Sequence, residues 1–206
     1  MKQYLKLLPT IGIILYVFLY IFSASLYPGG SQAALNSKGF DWINNYWCNL
    51  LNVEAMNGQL NPARPYAITA MIILCFSMAL FFYLFPKFFF VSKFWKNATQ
   101  FSGVIAMTFA VLIFTDYHDL MTSLASVFGL IALIGIFVGL AKNKSTRYLL
   151  AGVFCIFLMA INNYIYYSKQ FLVALPLIQK ITFAIVMVWV IALNLKFTRS
   201  VQFSEA

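Results

Sequence analysis

Residues 120–141 read LMTSLASVFGLIALIGIFVGLA, twenty-two positions without a formal charge. A helix needs about 20 mostly apolar residues to cross the hydrocarbon core of a bilayer, and this run has that length. It shows no period-2 alternation, which argues against a strand of an outer-membrane barrel. Working outward, the same pattern recurs at Leu7–Tyr27, Ala67–Phe85 and Ala98–Thr115 on one side, and at Tyr148–Tyr167 and Leu172–Leu195 on the other. The spacing predicts an all-α integral membrane protein, a six-transmembrane-helix bundle forming a single transmembrane domain over residues 1–206.

Composition supports the same reading. The chain is 63% apolar and 9% charged, against about 25% charged residues in an ordinary soluble domain. So few charges would not cover a water-soluble globule of this size. The formal charge of +9 raises nucleic acid as a partner, but a nucleic-acid footprint is concentrated on one soluble face. Here Lys and Arg sit in short clusters between apolar runs, so no nucleic-acid partner is expected and membrane lipids are.

The basic residues also set an orientation. With the N-terminus inside, Lys2, Lys6, Lys87, Lys93, Lys96, Lys142, Lys144, Arg147, Lys196 and Arg199 are cytoplasmic. Lys38, Arg64 and Lys169 are outside, and Lys180 lies within the sixth run. That asymmetry follows the positive-inside rule, and places both termini in the cytoplasm of a protein integral to the cell (inner) membrane. The start MKQYLK with Ser23-Ala24-Ser25 downstream also fits a cleaved signal peptide. Tyr16, Tyr20 and Pro9 fit a retained helix at least as well.

Polar chemistry gathers on the predicted outer side. Of the acids, Asp41, Glu54, Asp116 and Asp119 fall there and Glu205 is cytoplasmic; the one histidine, His118, is outer too. Asp116-Tyr117-His118-Asp119 links the third and fourth runs. Asp119 is placed to N-cap helix four. His118 beside carboxylates can act as base, acid or metal ligand, although one histidine is thin for zinc. The plainer reading is a polar turn with a surface imidazole. His118, Asp116 and Asp119 are the catalytic candidates, with no metal site and no cofactor expected.

The long segment between the first two runs, Pro28–Pro65, is dense in Asn and aromatic residues and poor in net charge. Turn signals at Asn57-Gly58 and Asn61-Pro62 argue for a structured outer lid, with Asp41–Val53 as a short interfacial helix. Arg64 suits bidentate anion binding or snorkelling to the interface. Asn162, Asn163 and Lys180 are polar marks inside apolar runs, where such groups are costly and usually face a bundle interior. Lys180 is a natural partner for Asp116 or Asp119, or else snorkels outward. Arg64, Lys180, Asn162, Asn163, Trp42, Trp47, Asn45 and Asn49 are the ligand-binding candidates. Small residues four apart, Ala125/Gly129 and Gly135/Gly139, suit close helix packing, within the chain or in a homo-oligomer or with a membrane-protein partner. The cysteines Cys48, Cys75 and Cys155 have no metal-type spacing.

The segments YPGGSQ, GFDWINNYWCNLL and NGQLNPAR, ahead of the second apolar run, resemble an uncharacterised bacterial six-helix membrane family carrying a domain of unknown function. That family is distantly similar to the Frag/DRAM-type membrane proteins. The resemblance implies the six-helix fold and an outer polar cluster, but no reaction. Where the family has Asp after the Cys, this chain has Cys48-Asn49-Leu50.

Three functions follow as expectations. The first is an outer polar vestibule, roofed by the lid, that binds a lipid or other amphipathic ligand. The second is an intramembrane lipid-modifying hydrolase or transferase using His118 with Asp116 or Asp119. The third is a small transporter or channel lined by Lys180, Asn162 and Asn163.

Overall fold

The computed structural model describes residues 3–89 and 92–202, with side chains over 5–89 and 92–198. Lys2 and Glu205, both used in the charge reading, lie outside the described residues, as does the side chain of Arg199. Among the described residues the architecture is all-α: α1 Gln3–Ser25, α2 Arg64–Phe88, α3 Lys93–Ala110, α4 His118–Lys142, α5 Thr146–Ser168 and α6 Leu175–Gln202. Two short 3-10 helices sit at Trp47–Leu51 and Leu172–Ala174. Five spans, Leu5–Ser25, Arg64–Phe88, His118–Lys142, Thr146–Ser168 and Leu172–Thr198, are long and apolar enough to cross a membrane.

The expected third span is corrected. The Ser92 hydroxyl caps α3 by accepting from the Trp95 amide at 3.4 Å, which draws Lys93 and Lys96 into the helix. The far end is lost from it. Beyond Ala110 the amides of Leu112, Ile113 and Thr115 bond carbonyls three residues back, so the apolar Val111–Phe114 form tight turns. The resulting 18-residue α3 is less apolar than the run from which it was expected.

Contacts gather the chain into two compact units. The first comprises Met1–Leu15, Met71–Gly152 and Val188–Ala206. Within it α3 packs along α4. The contact is close because Gly135 faces Thr99, where a Cβ would stand 1.9 Å from the Thr99 Oγ1. Here the small residues of α4 serve packing within the chain. Asn194 donates through Nδ2 to the Lys6 carbonyl at 3.1 Å and the Thr10 hydroxyl at 2.7 Å, tying α6 to α1. Phe81, Phe85, Phe88 and Phe89 gather about Phe197.

Small and polar residues share the interior of this unit with the phenylalanines, and large apolar side chains also lie on its surface. On α3 the buried residues are Thr99, Ser102, Gly103 and Ala106, while Phe101 is 69% exposed. Ser77, Asn194 and Thr198 are buried while Phe76, Leu130, Leu150 and Val188 are exposed.

The second unit comprises Tyr16–Ala70 and Val153–Met187. It holds the lid segment between α1 and α2 and the facing parts of α1, α5 and α6. The lid begins on Gly29 (φ +146) and Gly30 (φ +84). At Gly30 a Cβ would sit 2.4 Å from the Asn57 backbone nitrogen, so a glycine is required by both dihedral and space. The chain then doubles back through the Gly30 amide to Ser37 carbonyl bond (2.8 Å) and isolated bridges Gly29–Lys38 and Glu54–Leu60. The expected helix over Asp41–Val53 is only the 3-10 turn Trp47–Leu51. Side chains of the Asn residues there compete for backbone groups and favour turns over helix.

Candidate functional site

Three asparagines hold the lid, and all three are buried. Asn45 accepts the Asp41 amide on its Oδ1 at 2.8 Å and donates from Nδ2 to the Gly30 carbonyl at 2.9 Å. Asn49 accepts from the Gln32 amide nitrogen at 3.3 Å. Asn61 donates toward the carbonyls of Asn49, Leu50 and Asn52 at 3.0–3.3 Å and accepts the Ala63 amide at 3.1 Å. One primary amide can satisfy several backbone groups that no regular element pairs. Asn61 was legible only as a turn marker before Pro62; its role as an anchor needs contacts that sequence does not give.

Asp41 organises the next turn. Its Oδ1 accepts the amides of Ile43 and Asn44 at 3.0 Å, and its Oδ2 accepts the Asn44 side chain at 2.8 Å. The Asn44 side chain chiefly, with those amides and the Ser31 hydroxyl, holds this carboxyl below its usual range. Tyr27 accepts the Met56 amide at 3.0 Å; burial pushes its phenol up, opposed by that bond.

An aromatic cluster lies under this loop. Phe40 is its centre, with ring centroids at 5.6 Å from Tyr27, 5.2 Å from Trp42 and 6.3 Å from Trp47. Trp47 meets Tyr20 of α1 edge-on at 4.7 Å, and the Tyr20 hydroxyl donates to the Trp47 carbonyl at 3.0 Å. Trp42 stays exposed.

Lys180 of α6 reaches this cluster. Its buried ammonium donates to the Asn45 carbonyl at 2.5 Å and the Pro176 carbonyl at 2.8 Å. It also lies 5.9 Å from the centre of the Phe40 ring. The expected pairing with Asp116 or Asp119 is therefore corrected, as is outward snorkelling. The side chain turns inward because an adjacent main-chain oxygen and its own helix's carbonyl supply acceptors there. Asp41 acts on this ammonium only through longer-range attraction, its own oxygens being taken up by Asn44, Ile43 and Ser31.

The remaining candidates separate. Arg64 does not offer its whole fork, because Nε donates to the Leu51 carbonyl at 3.0 Å. Asn162 joins α5 to α6 through the Thr182 hydroxyl at 2.7 Å, and also donates to its own helix at Leu158. Asn163 is exposed. In the second unit the Trp47 indole Nε1, Asn162 Oδ1, Gln179 Oε1 and Ser37 Oγ are buried atoms without a hydrogen-bond partner.

The acid–base candidates belong to the first unit. His118 Nδ1 and Asp119 Oδ1 are 3.0 Å apart, forming the one ion pair among the described residues. Asp119 is not the N-cap expected of it. The helix starts two residues earlier than that, Tyr117 stands at the cap without a side-chain bond, and Asp119 occupies the first turn. Its carboxylate still favours the helix dipole. Asp116, His118 and Asp119 are all exposed, and the Ser123 hydroxyl beside them donates to the Asp119 carbonyl at 2.8 Å. The pair orients an imidazole, but no hydroxyl or thiol among the described residues is bonded to it. Among the described residues no group of three His, Cys, Asp or Glu is placed to hold a metal ion.

Compared with models of protein families, with curated proteins and with solved structures, the chain matches none of them.

Proposed function

We propose that this chain is an integral membrane protein of the cell membrane, with both termini cytoplasmic, whose outer-side lid closes over a binding site for a lipid or other amphipathic ligand. The five long apolar helices supply the spans. Charge supports adding α3 as a sixth crossing. With five crossings, Lys142, Lys144 and Arg147 would lie outside, against the positive-inside bias. The 18 residues of α3 reach about 27 Å at 1.5 Å per residue, close to the roughly 30 Å hydrocarbon core. Its polar and small residues Thr99, Ser102, Gly103 and Ala106 are buried while Phe94, Phe101 and Val104 face outward, which accounts for its modest hydropathy.

The observation that carries the binding reading is Lys180. A buried ammonium in a membrane-crossing helix is costly, and this one is spent on gripping the lid's backbone beside an aromatic cluster. Lipid co-purifying with the protein, read by native mass spectrometry, tests the proposal. Replacing Trp42 and Trp47 with Ala is expected to strip that lipid; retention unchanged in the double variant would remove the lid's claim.

The His118–Asp119 contact favours a hydrolase or transferase as the second reading. It ranks behind because the pair is exposed and lacks an adjoining nucleophile. Turnover of a lipid substrate abolished by His118→Ala and Asp116→Asn in folded protein would raise it above the first.

A further inference from the structure

We infer that the lid site selects an anionic head group, a phosphate ester whose oxygen takes the place now held by the Asn45 carbonyl on the Lys180 ammonium. The inference rests on the ligand-binding reading above and names the ligand class.

Three observations in the second unit point the same way. The Lys180 ammonium is buried, yet its hydrogen bonds go to two neutral carbonyl oxygens. No carboxylate lies within ion-pair distance of it among the described residues. A buried cation without a matching anion is poorly compensated, and a phosphate oxygen brings the full opposite charge that a neutral carbonyl lacks. An anion therefore competes favourably with Asn45 for this donor.

The second observation is the Trp47 indole. Its Nε1–H is buried and has no acceptor, although buried indole N–H groups ordinarily find one. Indole and ammonium flank one ring: Phe40 lies 6.3 Å from the Trp47 ring and 5.9 Å from the Lys180 nitrogen. Both of these groups donate, so a ligand that meets the two of them presents an acceptor.

The third is what the nearby acid does. Asp41 is the carboxylate whose attraction Lys180 feels, but its oxygens are engaged by Asn44, Ile43 and the lid's own turn. It is built into the lid and does not swing to neutralise the lysine. Lifting the lid breaks the Asn45–Lys180 bond and withdraws Asp41 together, leaving the ammonium and indole for the incoming anion. An anion bound in this way displaces the lid's own carbonyl from the ammonium.

The head group can come from a lipid or from a soluble phosphate ester. The full-length protein in detergent is titrated with phosphatidylglycerol, diacylglycerol and soluble glycerol 3-phosphate, with binding read by native mass spectrometry. Phosphatidylglycerol is expected to bind about tenfold or more tighter than diacylglycerol, which has the same acyl chains and no phosphate, the worth of one charge-assisted contact. Lys180→Gln is expected to erase that preference and Lys180→Arg to keep most of it. Should Lys180→Gln not fold, Trp47→Phe decides: it preserves the ring, removes the N–H, and is expected to reduce the preference several-fold. Binding of glycerol 3-phosphate that depends on Lys180 assigns the anion to a soluble source. Equal binding of the two lipids overturns the inference while leaving a lipid ligand standing, as does a preference that survives both Lys180→Gln and Trp47→Phe. No binding of any probe overturns the inference and the ligand-binding reading together.

Discussion

The Phe82 ring lies directly on the bare Cα of Gly103: a Cβ there would stand 2.3 Å from the Phe82 Cγ and 2.4 Å from its Cβ. Neither atom is the free end of a flexible chain, so α2 and α3 must separate to admit a methyl. Gly103→Ala is expected to lose about 1–3 kcal/mol to overpacking, exceeding the roughly 1 kcal/mol of helix propensity that alanine returns. Gly129 is the control, since its nearest neighbour, the Ala106 Cβ, is 3.9 Å away. Gly129→Ala should melt at or above the parent temperature in detergent. Equal melting of the two variants would contradict the close α2–α3 approach.

Asn61 supports a second expectation. Replacing it by Asp keeps the shape and turns the donor nitrogen into an oxygen facing the carbonyls of Asn49, Leu50 and Asn52. Each buried group left without a partner costs about 1–3 kcal/mol, and the loss falls on the lid rather than on the helices. Asn61→Asp is therefore expected to make residues 28–63 sensitive to protease and fast in hydrogen exchange, with α4 and α5 unchanged. Protection of the lid equal to the parent's would refute the anchoring role.

Much of this was legible in the chain itself. Hydropathy located α1, α2, α4, α5 and α6, because these helices carry an apolar signal all the way round. It misplaced α3, where Val111-Leu112-Ile113-Phe114 counts as apolar in any window but turns instead, and where the Ser92 cap outweighs the polarity of Lys93 and Lys96. Lys180 stood out as a charge in an apolar run. Its partner did not, because the acceptor is the main-chain oxygen of Asn45, 135 residues away, and a carbonyl leaves no mark on residue identity. The lid's order could be read from its asparagines, but which of them bury themselves depends on a fold-back at Gly29 and Gly30.

The Asp41 carboxyl gives the lid a pH dependence of definite sign. Folding depresses this group through the Asn44 side chain and the amides of Asn44 and Ile43. Its contribution is therefore fully present above the ordinary carboxyl range, and is lost as pH falls through the depressed folded value. Lid hydrogen-exchange protection, corrected for intrinsic rates, is expected to stay level from neutral pH to about 5 and to fall below about 4, the region of unperturbed carboxyls. Asp41→Asn should flatten that acid limb. A limb that persists in the variant would point to another carboxyl.

Cys48 offers a test of orientation that needs no fusion. It is exposed in the lid, whereas Cys75 and Cys155 are buried within α2 and α5. In the proposed topology a membrane-impermeant maleimide added to intact cells reaches Cys48 alone, and Cys48→Ser abolishes the labelling. The thiolate is the reactive form of a cysteine. Labelling should therefore be slow at neutral pH and quicken as pH rises. Were Cys48 modified only after the membrane is permeabilised, the lid would face the cytoplasm and the positive-inside assignment would be reversed. Every basic cluster would then lie on the outer side, so labelling of this single thiol in intact cells decides the orientation on which the lid site depends.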